Sequence, residues 1–72
     1  MKILIDILKY KDAETVAITD VDGVVFTGKV IEIIYPEDKT DLEEKEYSIV
    51  IRSNNAEIEF LQSEIQAIKT MD

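Results

Sequence analysis

The sequence predicts an all-β fold: a small, five-stranded, strongly bent antiparallel barrel with a short N-terminal α-helix. Three observations lead there. The hydrophobic period changes from helical to alternating near Thr15. Short alternating runs then follow one another, each separated from the next by turn chemistry. Both glycines of the chain, Gly23 and Gly28, fall inside one strand-like stretch, DGVVFTGKV, from Asp22 to Val30. A chain of 72 residues closes one core, so residues 1–72 are read as a single domain with the helix over about 2–10, the barrel over about 15–70 and an acidic loop over 36–46.

In the first segment, Ile3, Leu4, Ile7 and Leu8 recur at the spacing that lines one face of a helix, with Lys2, Asp6 and Lys9 on the other side. The pattern predicts a short amphipathic helix that lids the barrel. From Thr15, Val16 and Ile18 alternate with Ala17 and Thr19 as a half-buried strand, and Val21-Asp22-Gly23 supplies a hairpin turn because Asp-Gly tolerates positive φ. The next run, VVFTGKVIEIIY, is long for one strand of so small a protein. A glycine in a strand interior marks a bend or a close backbone approach. The two glycines therefore have different roles: Gly23 turns the chain and Gly28 lets the strand curl.

Pro36 ends that strand, since it has no N–H for a ladder. The loop PEDKTDLEEKE then holds six of the sixteen acids: Glu37, Asp38, Asp41, Glu43, Glu44 and Glu46. Tyr47, Ile49 and Ile51 alternate in a third strand, Ser53-Asn54-Asn55-Ala56 is a turn, Ile58 and Phe60 mark a fourth strand, and Leu61-Gln62-Ser63-Glu64 is a tight turn before a fifth from Ile65 to Lys69.

Composition bounds the function. With no Cys and no His there is no disulfide framework, no thiolate or imidazole metal site and no ordinary base to activate a Ser, Thr or Tyr nucleophile, so no enzyme, metal or cofactor is expected. The acidic loop lacks the glycine of a calcium-binding turn and reads as a solvated charge run. Apolar content of 46% is ample for a packed core, nothing approaches a membrane-spanning segment, and Asp6 interrupts the apolar start, which argues against a signal peptide. The expected compartment is the cytoplasm. A net charge of −8 repels polyanions, so DNA is not expected as a partner and RNA is disfavoured. Four residues are candidate contacts for a protein partner or RNA: Tyr35, beside Pro36 and the acidic loop, and Arg52, Asn54 and Asn55, the one polar turn with a cation and amides. An ordinary hairpin turn is the plain alternative for the last three.

The N-terminal helix, the pattern G-x-x-apolar-x-G-x-apolar (Gly23, Phe26, Gly28, Val30) and the ending FLQSEIQAI together resemble the Sm/LSm small-barrel superfamily over nearly the whole chain, as a divergent, bacterial-type member. The chain is also similar to the C-terminal small barrel of ribosome-maturation factors, in its DG-x-x-FTG strand and its Phe60-x-x-x-Glu64-Ile65-x-x-Ile68 ending. The resemblance implies rings built by pairing the fourth strand of one subunit with the fifth of the next, and single-stranded RNA binding through an acid, an aromatic and an Asn after the bent strand plus an Arg-Gly pair. Counted from Gly28, the first three positions fall on or near Ile34, Pro36 and Asp38, and the last near Leu61, Gln62 or Ser63, which do not match; a second alignment sets Arg52-Ser53 in the Arg-Gly place. The functional expectation is a non-enzymatic interaction or scaffold module that associates with itself, in a ring or another homo-oligomer, or with a protein. The alternative is an RNA-binding protein of the Sm kind.

Overall fold

The computed structural model describes residues 5–38 and 46–71. The chain is all-β: β1 (Thr15–Asp20), β2 (Val25–Ile34), β3 (Ser48–Ser53), β4 (Ala56–Leu61) and β5 (Ile65–Thr70), with 3-10 turns at Ile7–Tyr10, Pro36–Asp38 and Gln62–Glu64. The five strands form one antiparallel sheet in the order β4-β3-β2-β1-β5. The sheet is open. The five antiparallel strands expected are present, and β4 and β5 are the two edges of the sheet and do not pair with each other.

The expected helix over about 2–10 is corrected. Residues 2–4 lie outside the described residues, Asp6 is extended (φ −80°, ψ 93°), and only Ile7–Tyr10 forms a single 3-10 turn. Nine residues are too few for a helix to be stable on local terms alone, so packing decides the conformation. The 3-10 turn eclipses positions i and i+3. It thereby directs Ile7 and Tyr10 together against the core, with Ile7 fully buried.

The core lies on one face of the curled sheet. Val16 and Ile18 of β1, Ile49 and Ile51 of β3, Phe60 of β4 and Ile65 of β5 are buried with Ile7, and Phe26, Val30 and Ile33 of β2 pack against them. Phe26 and Phe60 meet with ring centroids 5.3 Å apart and planes tilted by 56°. Burial of these side chains supplies the dominant favourable term of folding.

Strand β2 bends at two places. Gly28 faces the core between Phe26 and Val30. A Cβ there would overlap the Arg52 carbonyl oxygen, lie 2.8 Å from the Arg52 carbonyl carbon and meet Ile51 Cδ1 at 3.3 Å. In a flat sheet a Cβ stands clear of the neighbouring strand's backbone. The overlap shows that the Arg52 carbonyl of the neighbouring strand approaches Gly28 more closely than any side chain there would allow, which is the close backbone approach a glycine in a strand marks. The second bend is a register shift between Val30 and Glu32, where Ile31 is the extra residue and turns outward, 38% exposed.

At the β1–β2 hairpin, Gly23 has φ +86° and open space around its Cα, so its role is conformational, as expected. The turn is held by Asp20. Its Oδ1 accepts the N–H groups of Asp22 and Val24, both at 2.9 Å, while the Gly23 N–H donates to the Asp20 carbonyl at 3.0 Å. Asp20→Ala removes both carboxylate bonds, and a loss of about 1 kcal/mol is expected, read as a lower urea midpoint at unchanged m-value. An unchanged midpoint would show that Gly23 and the main-chain bonds of the turn hold it without the carboxylate.

Candidate interaction surface

The four candidate contact residues occupy two separate places. Arg52 is the penultimate residue of β3, and Asn54 and Asn55 form the two-residue β3–β4 turn with φ 51° and 67°. Positive φ at both central positions is the geometry that matches the twist of a tight hairpin, and Asn tolerates it better than most residues. Both asparagines are exposed. The Arg52 guanidinium pairs with Glu57 across the strands at 2.7 Å, with both side chains about half exposed. A pair so exposed contributes little to stability, but it occupies the cation. Tyr35 sits beyond the other end of β3, half-buried, its ring edge-on to Tyr47 at a centroid distance of 5.3 Å. The length of β3, roughly 20 Å for six residues, separates Tyr35 from the Asn54-Asn55 turn. The structure thus brings Arg52, Asn54 and Asn55 together and leaves Tyr35 apart.

Of the acidic loop, residues 39–45 lie outside the described residues. Glu46 has a local structural role: its Oε1 accepts the Ser63 N–H at 2.6 Å. Among the described residues, no group of three or more His, Cys, Asp or Glu is placed to hold a metal ion, no buried side-chain nitrogen or oxygen lacks a hydrogen-bond partner, and no helix is long and apolar enough to cross a membrane. The chemistry left on display is that of the sheet edges.

Antiparallel pairing alternates residues that bond to a given neighbour with residues that point away from it. On β4, the tight turn makes Ser53 and Ala56 a bonded pair, so the main-chain groups of Glu57, Glu59 and Leu61 face the open side. The Leu61 N–H is covered by Glu64 Oε1 at 2.8 Å. Glu57 and Glu59 are left as the exposed centre of this edge, with their carboxylates on the face opposite the core. On β5, the bond from Met71 N–H to the Thr15 carbonyl at 2.9 Å fixes the phase: Lys69 and Ala67 bond to β1, and Ile68 and Thr70 point outward. Lys69 and Ala67 carry their side chains on the outer face, beside a shallow depression floored by Ala17 and Thr19.

The open side between these edges is crossed by the N-terminal segment. Gln62 Nε2 donates to the Ile5 carbonyl at 2.7 Å, and the Tyr10 hydroxyl donates to the Ile68 carbonyl at 3.2 Å. Gln62 also ties the end of β4 to the start of β3, as its Oε1 accepts the Tyr47 N–H at 3.1 Å. Sequence reading missed Tyr10, Gln62 and Asp20. Asp20 had a local signal, an Asp two residues before the turn's centre, whereas the Tyr10 and Gln62 contacts span 58 and 57 residues. No family model, curated protein or solved structure matches the chain.

Proposed function

We propose that the chain is a non-enzymatic interaction module of the Sm-like small-barrel type, which associates with itself by pairing the β4 edge of one copy with the β5 edge of the next. The observation that carries this reading is the pair of edges, β4 and β5, that have no neighbouring strand on one curled sheet. Exposed edge groups on a small β-domain are satisfied at low cost by another strand, and the added contact buries apolar area that a chain of this length cannot bury alone. Charge supports the same pairing. Glu57 and Glu59 flank one edge and Lys69 the other, on the same face of the sheet, so a shared sheet sets acids beside a cation, whereas pairing two β4 edges sets acid against acid. Gly28, Phe26 and the close approach of β3 to β2 support the small-barrel reading of the curl.

Light scattering over a concentration series tests the proposal. A mass above that of the single chain is expected, falling as salt screens the Glu57, Glu59 and Lys69 charges. A strictly monomeric mass at the highest attainable concentration overturns it. Titration with oligo-U and oligo-A at low salt tests the alternative: with a net charge of −8, no binding is expected, and tight, salt-sensitive binding would establish RNA as the partner instead.

A further inference from the structure

We infer that the N-terminal segment is a built-in competitor for the β5 edge, with the Tyr10 hydroxyl holding the main-chain acceptor that an incoming strand needs. This rests on the reading of β5 as an assembly edge. The phase set by the Met71–Thr15 bond turns the Ile68 carbonyl away from β1, so it is an acceptor at the centre of the free edge. A strand adding to that edge would direct an N–H at this oxygen. In the single chain the oxygen accepts instead from Tyr10, at 3.2 Å.

The competitor is anchored on both sides of its contact. Toward the N-terminus Ile7 is fully buried, and Ile5 is held by Gln62 through its carbonyl. Toward the C-terminus the Ala13 N–H donates to the Tyr10 carbonyl at 3.1 Å, fixing the backbone from which the phenol extends. Such anchoring keeps the hydroxyl at the edge without ordering cost at each encounter, so an incoming strand displaces a preformed bond. Covering edge groups with a neighbouring segment is a general protection against unwanted pairing, and here it occupies one of the two edges only. On the β4 edge the Leu61 N–H is covered by Glu64, and the main-chain groups of Glu57 and Glu59, guarded by their own charges, face the open side. The consequence is a chain whose assembly is attenuated at β5 and set by how readily one phenolic bond yields.

Tyr10→Phe tests this in the full chain. The substitution keeps the ring packed against the core and removes the donor alone. Sedimentation equilibrium should show association roughly fivefold tighter than in the wild-type chain, the size expected when one neutral hydrogen bond no longer has to be broken. Equal or weaker association of a folded Tyr10→Phe chain overturns the competitor and leaves the assembly reading standing. A wild-type chain that stays monomeric at every concentration overturns the assembly reading, and the competitor with it. A measurement on the wild-type chain is independent of any variant's folding. The Ile68 carbonyl carbon and the Tyr10 ring, followed by NMR across a dilution series, should report their contact in the monomer and its loss in the assembled state. A Tyr10–Ile68 contact that persists unchanged on assembly overturns the competitor.

Discussion

Replacing Gly28 with alanine should destabilise the chain by about 3 kcal/mol, a large share of the roughly 4–11 kcal/mol expected for a domain of this length. Two effects oppose one another. Alanine narrows the unfolded ensemble relative to glycine, which on its own stabilises by about 0.4–1 kcal/mol where the native backbone accepts a side chain. Gly28 does not have the positive φ that would bar alanine conformationally, so that gain is available in principle. Steric overlap decides the sign. The new methyl group meets the carbonyl of Arg52, and what must give way is the backbone of β3, since only Ile51 Cδ1 among its close neighbours is a mobile side-chain tip. Moving β3 outward disturbs the Lys29–Arg52 and Val30–Ile51 pairings and loosens Ile51 within the core. Urea unfolding followed by circular dichroism measures the loss. A midpoint equal to or above that of the wild-type chain would mean that the Arg52 carbonyl does not crowd Gly28 as described, and the curl of the sheet would need another cause.

That glycine was legible in the sequence because its signal is local: a strand-like run too long to stay flat, interrupted by the one residue without a side chain. The strands were legible for the same reason. The run read from Val24 to Tyr35 is observed as Val25–Ile34, within the fraying of element ends, and the alternation of Val16 with Ile18 and of Ile49 with Ile51 marks the core face directly. The bulge at Ile31 was not legible. In Val30-Ile31-Glu32-Ile33-Ile34 apolar residues fill both phases, so no period shows where the inward face changes parity. The N-terminal helix failed for a different reason. The spacing of Ile3, Leu4, Ile7 and Leu8 suits a helix, but in so short a segment the tertiary contacts of Ile7 and Tyr10 outweigh propensity. Of the candidate site, the turn character of Asn54 and Asn55 was readable from residue type, whereas the Arg52–Glu57 pairing depends on strand register. The separation of Tyr35 from the other three depends on topology, which no local pattern encodes.

Ile7→Ala should cost about 3 kcal/mol and lower the stability of the whole sheet, although Ile7 lies outside every strand. Were the N-terminal segment only a lid over a finished domain, trimming one of its side chains would loosen the lid and leave the sheet nearly as stable as before. The packing argues otherwise. Ile7 is fully buried in the same cluster as Val16, Ile18, Ile49, Ile51, Phe60 and Ile65, which draws on strands β1, β3, β4 and β5. With β4 and β5 not paired with each other, the open side of the curled sheet is crossed by this segment, and among its described residues Ile7 is the side chain buried completely. Truncation leaves a cavity among side chains that belong to the sheet, so the loss falls on the cooperative unit as a whole. Urea transitions followed by far-ultraviolet circular dichroism and by the NMR signals of the Tyr10 ring should shift together to a lower midpoint with the m-value retained. A Tyr10 transition that separates from an unshifted circular dichroism transition would show the segment detaching from a sheet that stands without it, and Ile7 would then belong to a lid after all.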